Sequence, residues 1–295
     1  LVGMVPFGEK IELHGADFEE AMAFTHELIA REGLVLIHPF DDPVVAAGQG
    51  TVACEMLEQV PDLDAIVVPI GGGGLIAGMS TAAKAIRPEV EVIGAQALLF
   101  DAVKARLEGF APHFATASLA EGIAVKAPSE ANLAVIRDHV DRVESVTEDE
   151  IEAAVFDLLS NEKLVAEGAA GAGMAVVRKL APELAGRKVG LVICGGNIDS
   201  RLLSSLILRG LVRDGRIARL TFEIDDRPGQ LALISRVIGE AGANVIEVIH
   251  QRMFQSVALK QAELDVVIEA RDRFHVEEIV ARLRGMGLTL RAEGP

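Results

Sequence analysis

Asp64-Ala65-Ile66-Val67-Val68-Pro69-Ile70-Gly71-Gly72-Gly73-Gly74-Leu75-Ile76-Ala77-Gly78 is the stretch on which the reading of the fold turns. Its Ala-Ile-Val-Val run suits a strand buried on both faces, as in a parallel sheet. Four glycines follow, then a helix of small residues that ends near Pro88. Without side chains the backbone can turn tightly and aim several N–H groups at one point. The helix N-terminus adds the positive end of its dipole, so the loop is suited to a phosphate. A tight strand-to-helix turn that binds nothing would use the same residues.

The loop has no Gly-Lys-Ser/Thr ending, so it is not a nucleotide P-loop. Gly72-x-Gly74-x-x-Ala77 fits the dinucleotide fingerprint formally. That fingerprint expects an acid about 20 residues on to hold a ribose. The next strand, from Glu91, instead reaches Gly94-Ala95-Gln96 without a carboxylate there. A dinucleotide-binding oxidoreductase therefore stands behind other phosphate ligands.

Working outward, short apolar runs alternate with helical stretches over the first two-thirds of the chain, the pattern of an α/β domain with a largely parallel sheet. Lys10–Leu13 and Leu34–Ile37 read as strands, with a helix over Asp17–Glu32 between them that stops at Gly33. Thr147 and Glu150 stand at capping-box spacing before a helix through Leu159. Val165–Leu180 reads as a helix rich in Ala and Gly, and Lys188–Ile193 as a buried strand. Arg201–Asp214 is the expected helical connector, with a boundary near Gly215.

Beyond it the pattern changes. Ala218–Ile224, Asn244–His250, Ala262–Glu269 and Leu288–Arg291 read as strands, with helices over Gln230–Ala241 and Phe274–Gly285. Asp225-Asp226-Arg227-Pro228-Gly229 is a turn, and the order βαββαβ is that of a ferredoxin-like unit.

Two further segments could carry chemistry. Val192-Ile193-Cys194-Gly195-Gly196-Asn197 lies at a strand's C-terminal end, the edge where open parallel sheets bind ligands. Cys194 there is either a packing cysteine or a weak thiol donor to a ring nitrogen. Glu167 is a lone carboxylate among small apolar residues. Burial would raise its pKa and suit it to carry a proton, whereas a helix-start carboxylate would only meet the dipole.

The 295 residues suffice for one large domain and a small one, and half are hydrophobic. A formal net charge of -16 argues against nucleic acid and anionic membranes as partners. No apolar run approaches the roughly 20 residues of a membrane span. Cys54 and Cys194 form no metal-ligand spacing and fit a reducing cytoplasm, so no metal site is expected.

His38-Pro39-Phe40-Asp41-Asp42-Pro43, Gly48-Gln49-Gly50-Thr51, the four-glycine run, Ala166-Glu167-Gly168-Ala169 and Gly195-Gly196-Asn197-Ile198-Asp199 together resemble the threonine dehydratases of the fold type II (tryptophan-synthase-β-like) pyridoxal phosphate family. The resemblance covers about residues 1–210. It implies an α/β fold with an open parallel twisted sheet, divided into a remnant of a small cofactor-capping domain (1–45) and a large cofactor-binding lyase domain (46–214). Pyridoxal 5'-phosphate would be the cofactor. Gly71, Gly72, Gly73 and Gly74 would cradle its phosphate, and Cys194, beside Gly195 and Gly196, would face its ring nitrogen. A neutral partner there makes the ring a weaker electron sink, which suits β-elimination of the threonine hydroxyl to 2-oxobutanoate and ammonia. Serine would be a secondary substrate, and Glu167 the catalytic carboxylate.

The family's Schiff-base lysine lies in a Ser-Phe-Lys-Arg-Gly-Ala-like motif that belongs before Leu1. None of the lysines present sits in such a motif. The expectation is that this chain alone has no useful lyase activity.

Residues 215–295 resemble an ACT domain, through Asp226-Arg227-Pro228-Gly229-Gln230-Leu231 and Gly242-Ala243-Asn244-Val245-Ile246 with His250 and Arg252. An amino-acid effector would then meet Arg227, Pro228, Gly229, Gln230, Leu231, Asn244 and Ile246 between paired domains of a homo-oligomer, a dimer or tetramer. A non-catalytic amino-acid-binding regulatory protein is the rival reading, with the glycine loop a relic.

Overall fold

The computed structural model describes residues 11–15, 18–225, 227–251 and 261–293. Lys10, Asp17, Asp226 and Arg252 lie outside them. Helix α1 (Phe18–Glu32) is followed by an irregular segment and by α2 (Pro43–Gln59). Asp42 caps α2, accepting from the Val44 N–H at 2.7 Å and the Val45 N–H at 3.1 Å, and Pro43 takes the first turn, where no N–H is needed.

A parallel sheet of order β3-β2-β1-β4 follows, built from β1 (Ala65–Pro69), β2 (Glu91–Ala97), β3 (Arg142–Val146) and β4 (Val189–Leu191). Every residue of β1 is buried. Successive side chains of a strand point to opposite faces, so β1 feeds two cores. Ala65 and Val67 join Ile151, Val155 and Val176 on one face, while Ile66 and Val68 join Leu57, Ile76 and Ile136 on the other. Helices α3 (Gly74–Ile86), α4 (Ala102–Glu108), α5 (Glu130–His139), α6 (Glu148–Ser160), α7 (Gly168–Lys179) and α8 (Ala181–Leu184) supply the cover. The Thr147–Glu150 capping box forms at the start of α6.

Helices α2 and α3 pack with their backbones in contact. A Cβ on Gly78 would overlap the Ala46 carbonyl, and one on Gly50 would lie 3.0 Å from the Gly78 carbonyl oxygen.

Helix α9 (Ser200–Arg213) leads into β5 (Ile217–Asp225), α10 (Gln230–Glu240), β6 (Asn244–Gln251), β7 (Gln261–Glu269), α11 (Arg273–Gly285) and β8 (Thr289–Glu293). The sheet is antiparallel with order β6-β7-β5-β8, the ferredoxin-like arrangement, and its core joins Leu220, Phe222 and Ile268 to Ile234, Ile238 and Leu283 of the two helices. His275 is buried between those helices. Its Nδ1 accepts from the Arg271 N–H at 3.2 Å, leaving Nε2 to donate to the Ala241 carbonyl at 2.8 Å.

Four expectations are corrected. Ile11–Leu13 and Leu34–Ile37 form no strand. Val35 is 88% and Ile37 77% exposed, and no described strand lies beside them to complete a ladder. An apolar run becomes a strand only with a partner. The helix expected from Val165 begins at Gly168, because Glu167 takes the extended conformation before it. The strand expected over Lys188–Ile193 narrows to Val189–Leu191 because its pairing with β1 ends at Val67. No described helix is long and apolar enough to cross a membrane.

Candidate active site

Strands β1 and β4 run parallel as neighbours, so the segments that leave their C-terminal ends emerge side by side. One is the glycine loop; the other is Val192–Gly196. Helix α7 starts at the same edge. The Glu167 N–H donates to the Gly195 carbonyl at 3.3 Å, which ties the third segment to the second. All three meet in a cavity of about 360 Å³ lined by Gly71, Gly72, Gly73, Gly74, Glu167, Cys194 and Gly195. Gly196 is not part of that lining; a Cβ on it would lie 3.5 Å from the Val165 carbonyl oxygen.

The loop can make this turn because Gly73 has φ +93°, a conformation that costs other residues dearly. Among the described residues the amides of Gly71, Gly72 and Gly73 donate to no protein acceptor. Unsatisfied N–H groups at the start of a 13-residue helix are what an anion would meet.

Glu167 sits between two glycines. A Cβ on Gly122 would lie 2.7 Å from Glu167 Oε1, and one on Gly195, at φ +82°, would overlap the carboxylate. Burial pushes its pKa above the ordinary 4.5, opposed by the Asn197 N–H, which donates to Oε2 at 3.1 Å, and aided by the charge of Glu121. Burial and then the Glu167 carboxylate push the Cys194 thiol up to about 11. Cys194 is therefore a neutral S–H group at neutral pH, able to donate weakly and carrying no charge.

Residues not expected as site residues from the sequence also line the cavity, among them Pro39, Phe40, Gln49, Gly122, Ile123 and Val125. Phe40 lies so close to the loop that a Cβ on Gly72 would overlap its ring. The His38–Pro43 motif pointed to this segment, but nothing in it marked the ring as a wall. A larger cavity, about 730 Å³, adjoins the first between α1 and residues 124–131 and shares Phe40 and Val125 with it. The smaller one is the candidate, because the unbonded amides, the thiol and the carboxylate converge there.

The residues expected to meet an effector lie apart from this site. Arg227 is placed near Asp225, with Nε 3.7 Å from Oδ2, and Gly229 caps α10. Asn244 opens β6, beside which α10 packs, and Ile246 stands at the irregularity between Val245 and Glu247. Leu231 (39%) and Ile246 (52%) present their side chains to solvent.

Residues 3–195 match the family described as pyridoxal-phosphate dependent enzyme. An L-threonine ammonia-lyase of Thermotoga maritima is 40% identical over 290 residues, covering 97% of this chain and 72% of that protein. A solved threonine deaminase from T.th. is 31% identical with TM-score 0.61, covering 66% of this chain and 65% of that one. A maize serine racemase is 29% identical with TM-score 0.64, covering 71% of this chain and 66% of that one. This chain thus spans about two thirds of the solved chains and somewhat more of the lyase. With its parallel sheet and its glycine loop at the strand ends, the chain belongs to the pyridoxal-phosphate-dependent enzymes, among the threonine ammonia-lyases.

Proposed function

We propose that this chain carries the cofactor-binding half of an enzyme that eliminates water and ammonia from L-threonine to give 2-oxobutanoate, with L-serine as a second substrate. The observation that carries the reading is the convergence of the unbonded glycine amides, Cys194 and Glu167 in one cavity. The donor set fits pyridoxal phosphate: amides at a helix start for a phosphate, the Phe40 ring beside them, and an uncharged thiol. When bound, that group supplies a ring that withdraws electrons from the substrate's Cα.

The chain's own residues then divide the work. Gly71–Gly74 hold an anion by backbone N–H groups. Cys194, kept neutral, offers a weak hydrogen-bond donor without adding charge. Glu167, its pKa raised by burial, is the carboxylate placed to take up or release a proton in this cavity. None of the described lysines lines this cavity; Lys84 pairs with Asp141, Lys179 with Glu144 and Lys188 with Asp62. The elimination needs an amine, none of the described lysines offers one in this cavity, and we propose that residues 1–295 alone are inactive.

The proposed organisation is a capping-domain remnant over 1–45, the lyase domain over 46–214 and an ACT domain over 215–295 that senses an amino acid in a homo-oligomer. The ferredoxin-like topology of the last part supports it. The assay is 2-oxobutanoate release from L-threonine with added pyridoxal phosphate, for this chain and for a version fused to the lysine-bearing segment of the Thermotoga maritima lyase. Activity confined to the fusion supports the proposal; activity in neither, with both folded, refutes it.

A further inference from the structure

The segment between α1 and α2 is clipped to the glycine loop by one side chain. Asn132, in the first turn of α5, is buried, and its Nδ2 donates to the Phe40 carbonyl at 2.7 Å and to the Gly72 carbonyl at 3.2 Å. Both acceptors are carbonyls, so only the nitrogen can face them, and its two hydrogens serve one each. The Ser129 N–H also donates to the Gly72 carbonyl, at 3.3 Å, and the Ser129 hydroxyl donates to Asp41. The clipped segment is itself turned by His38, whose Nδ1 accepts from the Asp41 N–H at 2.8 Å.

Planarity gives this contact a consequence at the loop. In a trans peptide the C=O and the following N–H point in opposite directions. Holding the Gly72 carbonyl toward α5 therefore turns the Gly73 N–H away from α5. Gly73, at φ +93°, has no side chain to fix that orientation. The same Asn132 side chain holds Phe40, whose ring lies against Gly72.

We propose that Asn132 is a positioning residue for anion binding: by tying Gly72 to Phe40 it fixes the aim of the loop amides. This rests on the reading of the loop as the cofactor's phosphate site. Without the side-chain amide, the Gly72–Gly73 peptide keeps only the Ser129 bond and can rotate, so the loop must be ordered when the anion binds.

The test is calorimetric titration of the full chain with pyridoxine 5'-phosphate, pyridoxine and inorganic phosphate. These probes carry no aldehyde and cannot react with lysines. Asn132→Leu removes both donors at nearly constant shape and charge, and Asn132→Ala is the second variant should the first not fold. Thr147→Ala, which removes the α6 cap at a residue lining neither cavity, controls for lost stability. The expected result is affinity for pyridoxine phosphate and for phosphate about tenfold weaker in the Asn132 variants. Pyridoxine affinity should be unchanged, and Thr147→Ala should bind all three probes like the parent. If the parent binds and the folded Asn132 variants bind phosphate equally well, the positioning role is overturned and the phosphate site stands. A parent that binds neither phosphate compound overturns the phosphate site itself, and this role with it.

Discussion

Glu167 and Cys194 line one cavity, and the Glu167 carboxylate helps to push the Cys194 thiol up. The Glu167 pKa lies above the unfolded value. Its contribution to stability is therefore complete below about pH 4.5 and is lost as pH climbs through the raised value. Ionised Glu167 thus weakens the fold at neutral pH. Glu167→Gln, which can still accept from the Asn197 N–H, should melt above the parent at about pH 8, with the gap closing by about pH 4. Melting curves at both pH values check this, and an equal gap at both would contradict it. The thiol makes a second prediction. With its pKa pushed up to about 11, Cys194 is about one part in a thousand thiolate at pH 8. Cys54 is exposed. Iodoacetamide followed by peptide mass mapping should find Cys54 modified well before Cys194; comparable rates would refute the half-buried, neutral thiol.

At the scale of elements, the strength of the α2–α3 contact comes from missing side chains. Gly78→Ala must push α3 off the Ala46 carbonyl and should cost about 1–3 kcal/mol in a urea titration. Gly48→Ala, in the same pair of helices but facing open space, should instead gain about 0.5–1 kcal/mol. Similar effects from both would mean the helices are not in backbone contact. The glycine loop and α3 were legible in the sequence because strand, loop and helix are local events there. Helix α2 was not: its first turns, Pro-Val-Val-Ala-Ala-Gly-Gln-Gly, show no polar face to set a helical period. Strand β3 was hidden in Arg-Val-Glu-Ser-Val, an edge strand too short to read without its partner β2. Leu34–Ile37 failed the other way, with strand composition and no neighbour.

Across the whole molecule, what was legible is that the glycine loop and the Val192–Asn197 segment leave strand C-termini at one sheet edge, since parallel order alone brings those ends together. The lining by Phe40 and the clip from Asn132 were illegible, because neither follows from a period or a motif; both come from how α5 meets the loop. The parallel sheet with its glycine loop carries an apolar core on each face, and the ferredoxin-like sheet packs a separate one. The central proposal is that the glycine-loop edge of the parallel sheet is a phosphate-cofactor site with no lysine among its described lining. The most direct test is to add pyridoxal phosphate to the chain, measure binding, reduce with borohydride and map the modified lysines by mass. The account predicts saturable binding displaced by inorganic phosphate, with no lysine labelled stoichiometrically. Stoichiometric labelling of one lysine within residues 1–295, or no binding at all, would contradict it.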